Sequence, residues 1–288
     1  ARVRVNSYAE YCWPRAFGAA YANSSVSTAL ALATGLVLLL FVVLARNGTL
    51  IRTQSDFYAV IPHGWMVGLF GTTFGFAMLA MAIGGVRFWR ATRPGPVTWS
   101  ALYEALRDGA TLRYLDGGHG DGCNEDDDAF TRARRRFHHL TFYGFLTCFA
   151  ATSVAAIYHY LGWPAPYPIL SAPVVLGIVG GIGLVIGPAG LLALNRRRHS
   201  DVNDPVPRSM DRGLSVLLIA TSLTGFALLI WRDTRFMPLL LAVHLGVVLA
   251  FFATMPYGKF AHGIFRLLAL LMYAAERRQP KSFRLGAD

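Results

Sequence analysis

The stretch His138–His159 reads HHLTFYGFLTCFAATSVAAIYH, and the stretch His244–His262 reads HLGVVLAFFATMPYGKFAH. Each is apolar and bracketed by histidine, and Lys259 is the one Lys, Arg, Asp or Glu between the brackets. On an α-helix the 18 residues from His244 to His262 make five full turns, so both rings leave one face about 27 Å apart. That span nearly equals the roughly 30 Å hydrocarbon thickness of a bilayer. Two such helices set antiparallel would place one histidine pair near each membrane surface.

Working outward, four more segments are long and apolar enough to span. The six are about Ser25–Ala45, Gly64–Val86, His138–Leu161, Pro173–Leu194, Gly213–Trp231 and Met237–Thr254. The expected fold is therefore an all-α, polytopic membrane bundle of six helices. The first span does not read as a signal peptide, because its apolar run is too long and Arg46-Asn47 follows where small residues would mark cleavage. The last is expected to continue past Pro256 to His262, tilted or kinked there. Ile264–Arg278 then reads as an amphipathic tail, with Phe265, Leu268, Leu271 and Met272 against Arg266 and Arg277. The expected organisation is a linker over residues 1–24, a membrane domain over 25–262 with a polar loop at 87–137, and a tail over 263–288. Within that loop a short helix is expected near Thr98–Asp108.

Composition agrees. Of 288 residues, 54% are hydrophobic and 15% charged, and the mean hydropathy is +0.42. A soluble domain of this length carries more charge. The net charge of +11 is loop charge that orients a membrane protein, not a nucleic-acid footprint. With both termini on one side, the N-terminal segment, the 87–137 and 195–212 loops and the tail, together with Lys259 just before the tail, hold 23 of the 27 basic residues. Only Arg46, Arg52, Arg232 and Arg235 fall on the other side. The positive-inside rule makes both termini cytoplasmic. Cys12, Cys123 and Cys148 are scattered, so this chain supplies neither the four thiolates of an ordinary iron–sulfur cluster nor a disulfide framework.

The histidines carry the chemistry. Paired neutral imidazoles facing each other inside a bundle are what a six-coordinate haem iron needs. His244 lies seven residues into a span, where an ionisable residue is a functional candidate by default; a hydrogen bond to neighbouring backbone is the alternative. His262 alone would be an ordinary interfacial residue, and the five-turn spacing makes it a candidate ligand. His138 and His159 are 21 residues apart and share a face to within about 60°, whereas His139 looks to the other side. His138 is therefore favoured as ligand, and His139 as a headgroup contact or supporting donor. The expected pairs are His138 with His262 at the inner surface and His159 with His244 at the outer. His63, in Ile61-Pro-His-Gly-Trp65, is an interfacial histidine, a substitute for His159 as outer ligand, or part of a quinone pocket. His119 and His199 sit in polar loops; Asp121 and Cys123 lie near His119, but the spacing fits no standard zinc pattern. The glycines of the fourth span, from Gly177 to Gly190, read as small-residue helix packing that would also admit a flat macrocycle. No Asp, Glu, Lys or Arg falls inside the six apolar cores, which weighs against an ion-coupled transporter.

The run from Arg134 to Ser153 with Ile157-Tyr-His-Tyr160, and the motifs Tyr11-Cys-Trp-Pro14, Gly122-Cys123-Asn124 and Met255-Pro-Tyr-Gly-Lys-Phe-Ala-His262, resemble the TcuB (CitB-type) family of tricarballylate-utilisation proteins. The closing Pro-Tyr-x-Lys-Phe-x-His pattern also resembles haem-bearing membrane subunits of other iron–sulfur electron-transfer complexes. The His244–His262 spacing resembles that of the nitrate reductase gamma subunit. The resemblance implies an electron carrier of the bacterial inner membrane. It would reoxidise the flavin of an FAD-dependent tricarballylate dehydrogenase and deliver electrons to quinone. Family members have an N-terminal ferredoxin-like half with cluster motifs, and Ala1–Tyr8 looks like the exit from it. The clusters are therefore expected on that half or on a partner. Two haem b groups are expected here, on His138, His159, His244 and His262. The rival expectations are a haem-free membrane anchor and a small tricarboxylate transporter.

Overall fold

The computed structural model describes residues 10–21, 24–53, 56–92, 95–116, 123–124, 130–197 and 205–278. His119, His199, Asp121, Glu125–Asp128 and Ala1–Tyr8 lie outside the described residues. Ten α-helices follow in chain order among the described residues: α1 Arg15–Ala20, α2 Ser24–Asn47, α3 Phe57–Val60, α4 His63–Thr92, α5 Trp99–Ala110, α6 Ala133–Tyr160, α7 Ala172–Arg197, α8 Pro205–Trp231, α9 Met237–Thr254 and α10 His262–Glu276. A two-residue antiparallel pairing, Cys123–Asn124 with Phe130–Thr131, interrupts the helices. Six helices are long and apolar enough to cross a membrane: α2, α4, α6, α7, α8 and α9. All six spans expected from sequence are present, and the protein is a multi-pass membrane protein.

The helices cohere through close backbone approach. A Cβ on Gly35 of α2 would sit 2.4 Å from the Gly246 carbonyl oxygen of α9, so these helices touch along their main chains. The α6–α7 contact is built the same way. Hypothetical Cβ atoms on Gly144, Gly180 and Gly183 would lie 2.7–2.9 Å from backbone atoms of the facing helix. Between helices in lipid, where apolar burial drives little, such small-residue contacts supply dispersion at short range. The glycine-rich fourth span is thus used for packing. The order of neighbours is α6 on α7, α7 on α8, α8 on α9 and α9 on α2, with α4 against α9. Leu39, Val43, Val60, Met237 and Leu241 form one core cluster; Met81, Leu184, Leu217, Phe251 and Met255 form another.

One expectation is corrected. The last span does not run on to His262: α9 stops at Thr254, a 3-10 turn covers Lys259–Ala261, and His262 opens α10. Pro256 is the cause, since it has no N–H to donate and so breaks the run of helical hydrogen bonds just past Thr254. The amides of Tyr257 and Gly258 both fold back onto the Thr254 carbonyl. His244 and His262 therefore do not share a helix. The expected short loop helix is α5, capped by the Thr98 hydroxyl accepting from the Ala101 amide. It packs Ala101 against Leu271, Ala274 and Ala275 of α10.

Candidate functional site

At one end of the bundle the second turn of α6 meets the start of α10. The rings of His138 and His262 meet edge to face, with centroids 6.0 Å apart and planes at 62°. Sequence phase favours His138 over His139, and the structure places them accordingly: His139 turns away to stack on Tyr143, 5.8 Å off at 17°. The break at Pro256 is what swings His262 into place, and the adjoining turn orients its ring. Nδ1 of His262 bonds the Lys259 carbonyl, which can only accept, so Nδ1 carries the proton and Nε2 keeps a lone pair. Burial holds the His262 ring neutral and its pKa down at about 4, with His138, Lys259 and Arg266 opposing its charge as well. Nδ1 of His138 is buried with no hydrogen-bond partner among the described residues. The turn is tied to α8 by Lys259 Nζ–Asp211 Oδ1 at 2.9 Å.

His244 faces α8. Its Nδ1 lies 3.0 Å from Thr224 Oγ1, whose own hydrogen is committed to the Ala220 carbonyl at 2.7 Å. With its hydrogen so placed, Thr224 accepts from Nδ1–H, and the Thr221 carbonyl also accepts from this ring. A Cβ on Gly225 would come within 3.2 Å of the His244 ring, so glycine makes the space this ring occupies.

At the opposite end, His159 stacks on His63, with centroids 3.8 Å apart and planes at 27°. Tyr58 lies against both rings, at 5.1 Å from His63 and 4.5 Å from His159, and Tyr160 flanks them. Tyr58 is hydrogen-bonded to Tyr167, and burial with that bond pushes its hydroxyl up to about 12. Tyr167 donates in turn to the Ala155 carbonyl at 3.0 Å, and Arg232 donates to the Tyr167 carbonyl at 2.7 Å. The structure thus joins His138 with His262, and His159 with His63. It turns His244 toward Thr224.

Between the two ends lies a layer of phenylalanines. Phe145 contacts Phe251 and Phe260, and Phe74 contacts Phe149 and Phe252, with centroids 5.0–5.8 Å apart. The histidine groups therefore occupy separate ends of α6, divided by apolar rings. Sequence reasoning missed Thr224, Tyr58 and the Lys259 carbonyl. Thr224 had a signal of sorts, a hydroxyl in a span; a carbonyl's direction has none.

A bis-histidine, six-coordinate haem needs two neutral imidazoles, one on each side of the iron. Metal–imidazole bonds of about 2 Å on both sides put ring centres roughly 6 Å apart. The His138–His262 pair fits on separation and on the tautomer of His262, and the orphaned His138 nitrogen is the kind a coordinated group would satisfy. His244 is a single candidate ligand. Among the described residues, no three His, Cys, Asp or Glu side chains converge as a site for a bare metal ion.

Comparison with known proteins supplies the family. The family profile for citrate utilization protein B matches residues 21–282. A citrate utilization protein B from Escherichia coli is 50% identical over 291 residues, covering 100% of this chain and 77% of that relative. No solved structure matches the chain. On the sequence match along nearly its whole length, the chain belongs to the citrate utilization protein B family.

Proposed function

We propose that this protein is a membrane electron-transfer component of tricarboxylate utilisation. It would take electrons from an iron–sulfur and flavin dehydrogenase system of the tricarballylate dehydrogenase type and pass them to the quinone pool. The observation that carries this reading is the His138–His262 pair, two imidazoles brought together edge to face, 6.0 Å between centroids, where α6 meets α10. Bis-histidine haem supplies one-electron transfer with no open iron position, which suits relay rather than oxygen chemistry.

On this reading His138 and His262 hold one haem b. The Lys259 carbonyl keeps His262 in the ligand tautomer, as an outer partner does in other metal sites. Lys259 and Arg266, close enough to act on both rings electrostatically, place positive charge beside the site. Such charge favours the carboxylates of a bound porphyrin. His244 holds the second haem, with His159 as its partner or His63 in its stead. Since His159 rests on His63, that pairing requires the stack to part. When parted, His63 and Tyr58 would remain as polar groups for a quinone oxygen. The orientation follows from the charge asymmetry: the His138 end is cytoplasmic, and so are both termini. Electrons then enter beside the basic first turn of α6. There Arg134 binds Asn195 at 3.2 Å and Arg135 binds the Thr111 carbonyl at 2.7 Å, so both also brace neighbouring segments.

The test is spectroscopic. Full-length protein made with ample haem and purified in detergent should show a Soret band, a low-spin six-coordinate spectrum and about two haem b per chain. His138→Ala and His262→Ala should each remove the same one haem and leave the other. A folded protein with no Soret band would overturn the reading in favour of a haem-free anchor or a transporter.

A further inference from the structure

We propose that α5 is a membrane-surface helix, its Trp99–Tyr103–Leu106 stripe sunk in the lipid interface at the His138 end of the bundle. This stands apart from the haem reading and does not depend on it.

The helix has two unlike faces. Ala101, Ala105 and Asp108 are buried, and Ala101 packs on Ala274 and Ala275 of α10. Glu104 clamps the pair from the side, with oxygens 3.2 Å from Arg277 and 2.6 Å from Arg278. The other face carries Trp99, Tyr103 and Leu106, which are 86%, 68% and 49% exposed. Spaced at i, i+4 and i+7, they lie within about 60° of one another around the helix. A Trp, a Tyr and a Leu held out on one side of a packed, capped helix need an apolar occupant.

Three observations make that occupant the bilayer. First, the stripe runs into the lipid-facing flank of a spanning helix. Its next member, Ala110, accepts a hydrogen bond through its carbonyl from Tyr143 at 2.9 Å. Tyr143 lies in span α6 beside Leu140 and Leu146, and all three are exposed on the outside of a helix long and apolar enough to cross a membrane, the side acyl chains would cover. A helical side chain leans toward its N-terminus, so the Tyr143 hydroxyl reaches toward the membrane surface and fixes the end of α5 at that level. Second, Gly109 of α5 lies against Leu267 of α10, itself exposed, so the apolar surface continues onto α10. Third, the residue types are those of a membrane interface. Trp and Tyr place flat amphipathic rings at headgroup depth, and exposed Arg90, Arg107 and Arg136 at the same end supply cations for anionic headgroups. Together α5 and α10 form a bracket lying against the bilayer surface, tied to span α4 through Gly85, which meets Ile264 and Leu268 of α10.

The test uses full-length protein in nanodiscs containing anionic lipid, in a background of Cys12→Ala, Cys123→Ser and Cys148→Ala. An environment-sensitive dye is attached at Trp99→Cys or Leu106→Cys. The expected result is blue-shifted emission, strong quenching by nitroxide lipids labelled near the headgroup, and weak quenching by aqueous iodide. Adding Tyr103→Glu to the Leu106→Cys protein should reverse the two quenching strengths. Circular dichroism and a monodisperse elution peak establish that each labelled protein is folded. Iodide quenching at position 99 as strong as for free dye, with none from nitroxide lipid, would overturn the proposal. Protection that appears only when a soluble iron–sulfur partner is added would also overturn it, by making the stripe a protein-docking face.

Discussion

Substituting Gly180→Ala in the middle of α7 separates backbone packing from mere flexibility as the role of the fourth span's glycines. A Cβ at Gly180 would lie 2.7 Å from the Cys148 amide nitrogen, 2.7 Å from its Sγ and 2.8 Å from the Gly144 carbonyl oxygen. Ordinary contact begins at 3.4 Å, so the methyl is about 0.6–0.7 Å too close to each. Two of the three atoms are main chain of a spanning helix and cannot swing aside. The helices must part by a comparable distance, and Gly144 and Gly183, packed on the same seam, lose contact with them. Overpacking of this kind costs about 1–3 kcal/mol. The control is Gly71→Ala in α4, where no atom lies within 4 Å of the added methyl. There alanine's better helix propensity works alone and contributes about 0.8–1 kcal/mol in the stabilising direction. Reversible unfolding in mixed micelles, followed by circular dichroism, should show Gly180→Ala less stable and Gly71→Ala neutral or more stable. If the proposed haems are present, the parted seam should also reduce their retention in Gly180→Ala, because α6 carries both His138 and His159. If both variants unfold alike, or if Gly180→Ala gains stability, the claim that these helices meet backbone to backbone is wrong.

Two further outcomes follow from single hydrogen bonds. Thr224→Val removes the side-chain acceptor of His244 and leaves the Thr221 carbonyl as the ring's remaining partner. The expected cost is about 0.5–1.5 kcal/mol of stability, and where His244 binds haem, roughly 10–100-fold weaker retention of that one haem; a variant matching the parent in both titrations would show that Thr224 does not orient the ring. Tyr257, whose hydroxyl donates to the Trp13 carbonyl at 3.3 Å, is pushed up to about 12 by burial, with Cys12 adding to it. Unfolded tyrosine ionises near 10, so the folded state binds the extra proton between about 10 and 12, and stability falls as pH rises through that window. Tyr257→Phe should flatten this alkaline loss in pH-dependent unfolding, and an unchanged slope would remove Tyr257 as its source.

The six spans were legible because a run of some twenty apolar residues has few other places to go, and its backbone must close its own hydrogen bonds in lipid. Charge asymmetry between loops is likewise a property of the chain and needs no fold to be read. Histidines at span ends follow from the same pattern, and the phase of His138 against His139 on one continuous helix was enough to separate them. The limits appear where a helix is not continuous. Five turns from His244 to His262 held only on paper, because Pro256 ends α9 and the chain refolds into a turn before α10. His262 reaches His138 through that break and not through helical phase. The partner of His159 was also out of reach. Periodicity says which face a side chain leaves; which neighbour stands opposite depends on how helices are ordered and rotated about one another. Here glycine contacts between α6 and α7, and between α2 and α9, set those relations. They turn His244 toward Thr224 and bring His63 of α4 onto His159 of α6. Composition and period thus determined which segments are long and apolar enough to cross a membrane and which histidines are candidate ligands. Close packing between helices, a contact property with no one-dimensional period, decided which of those residues meet.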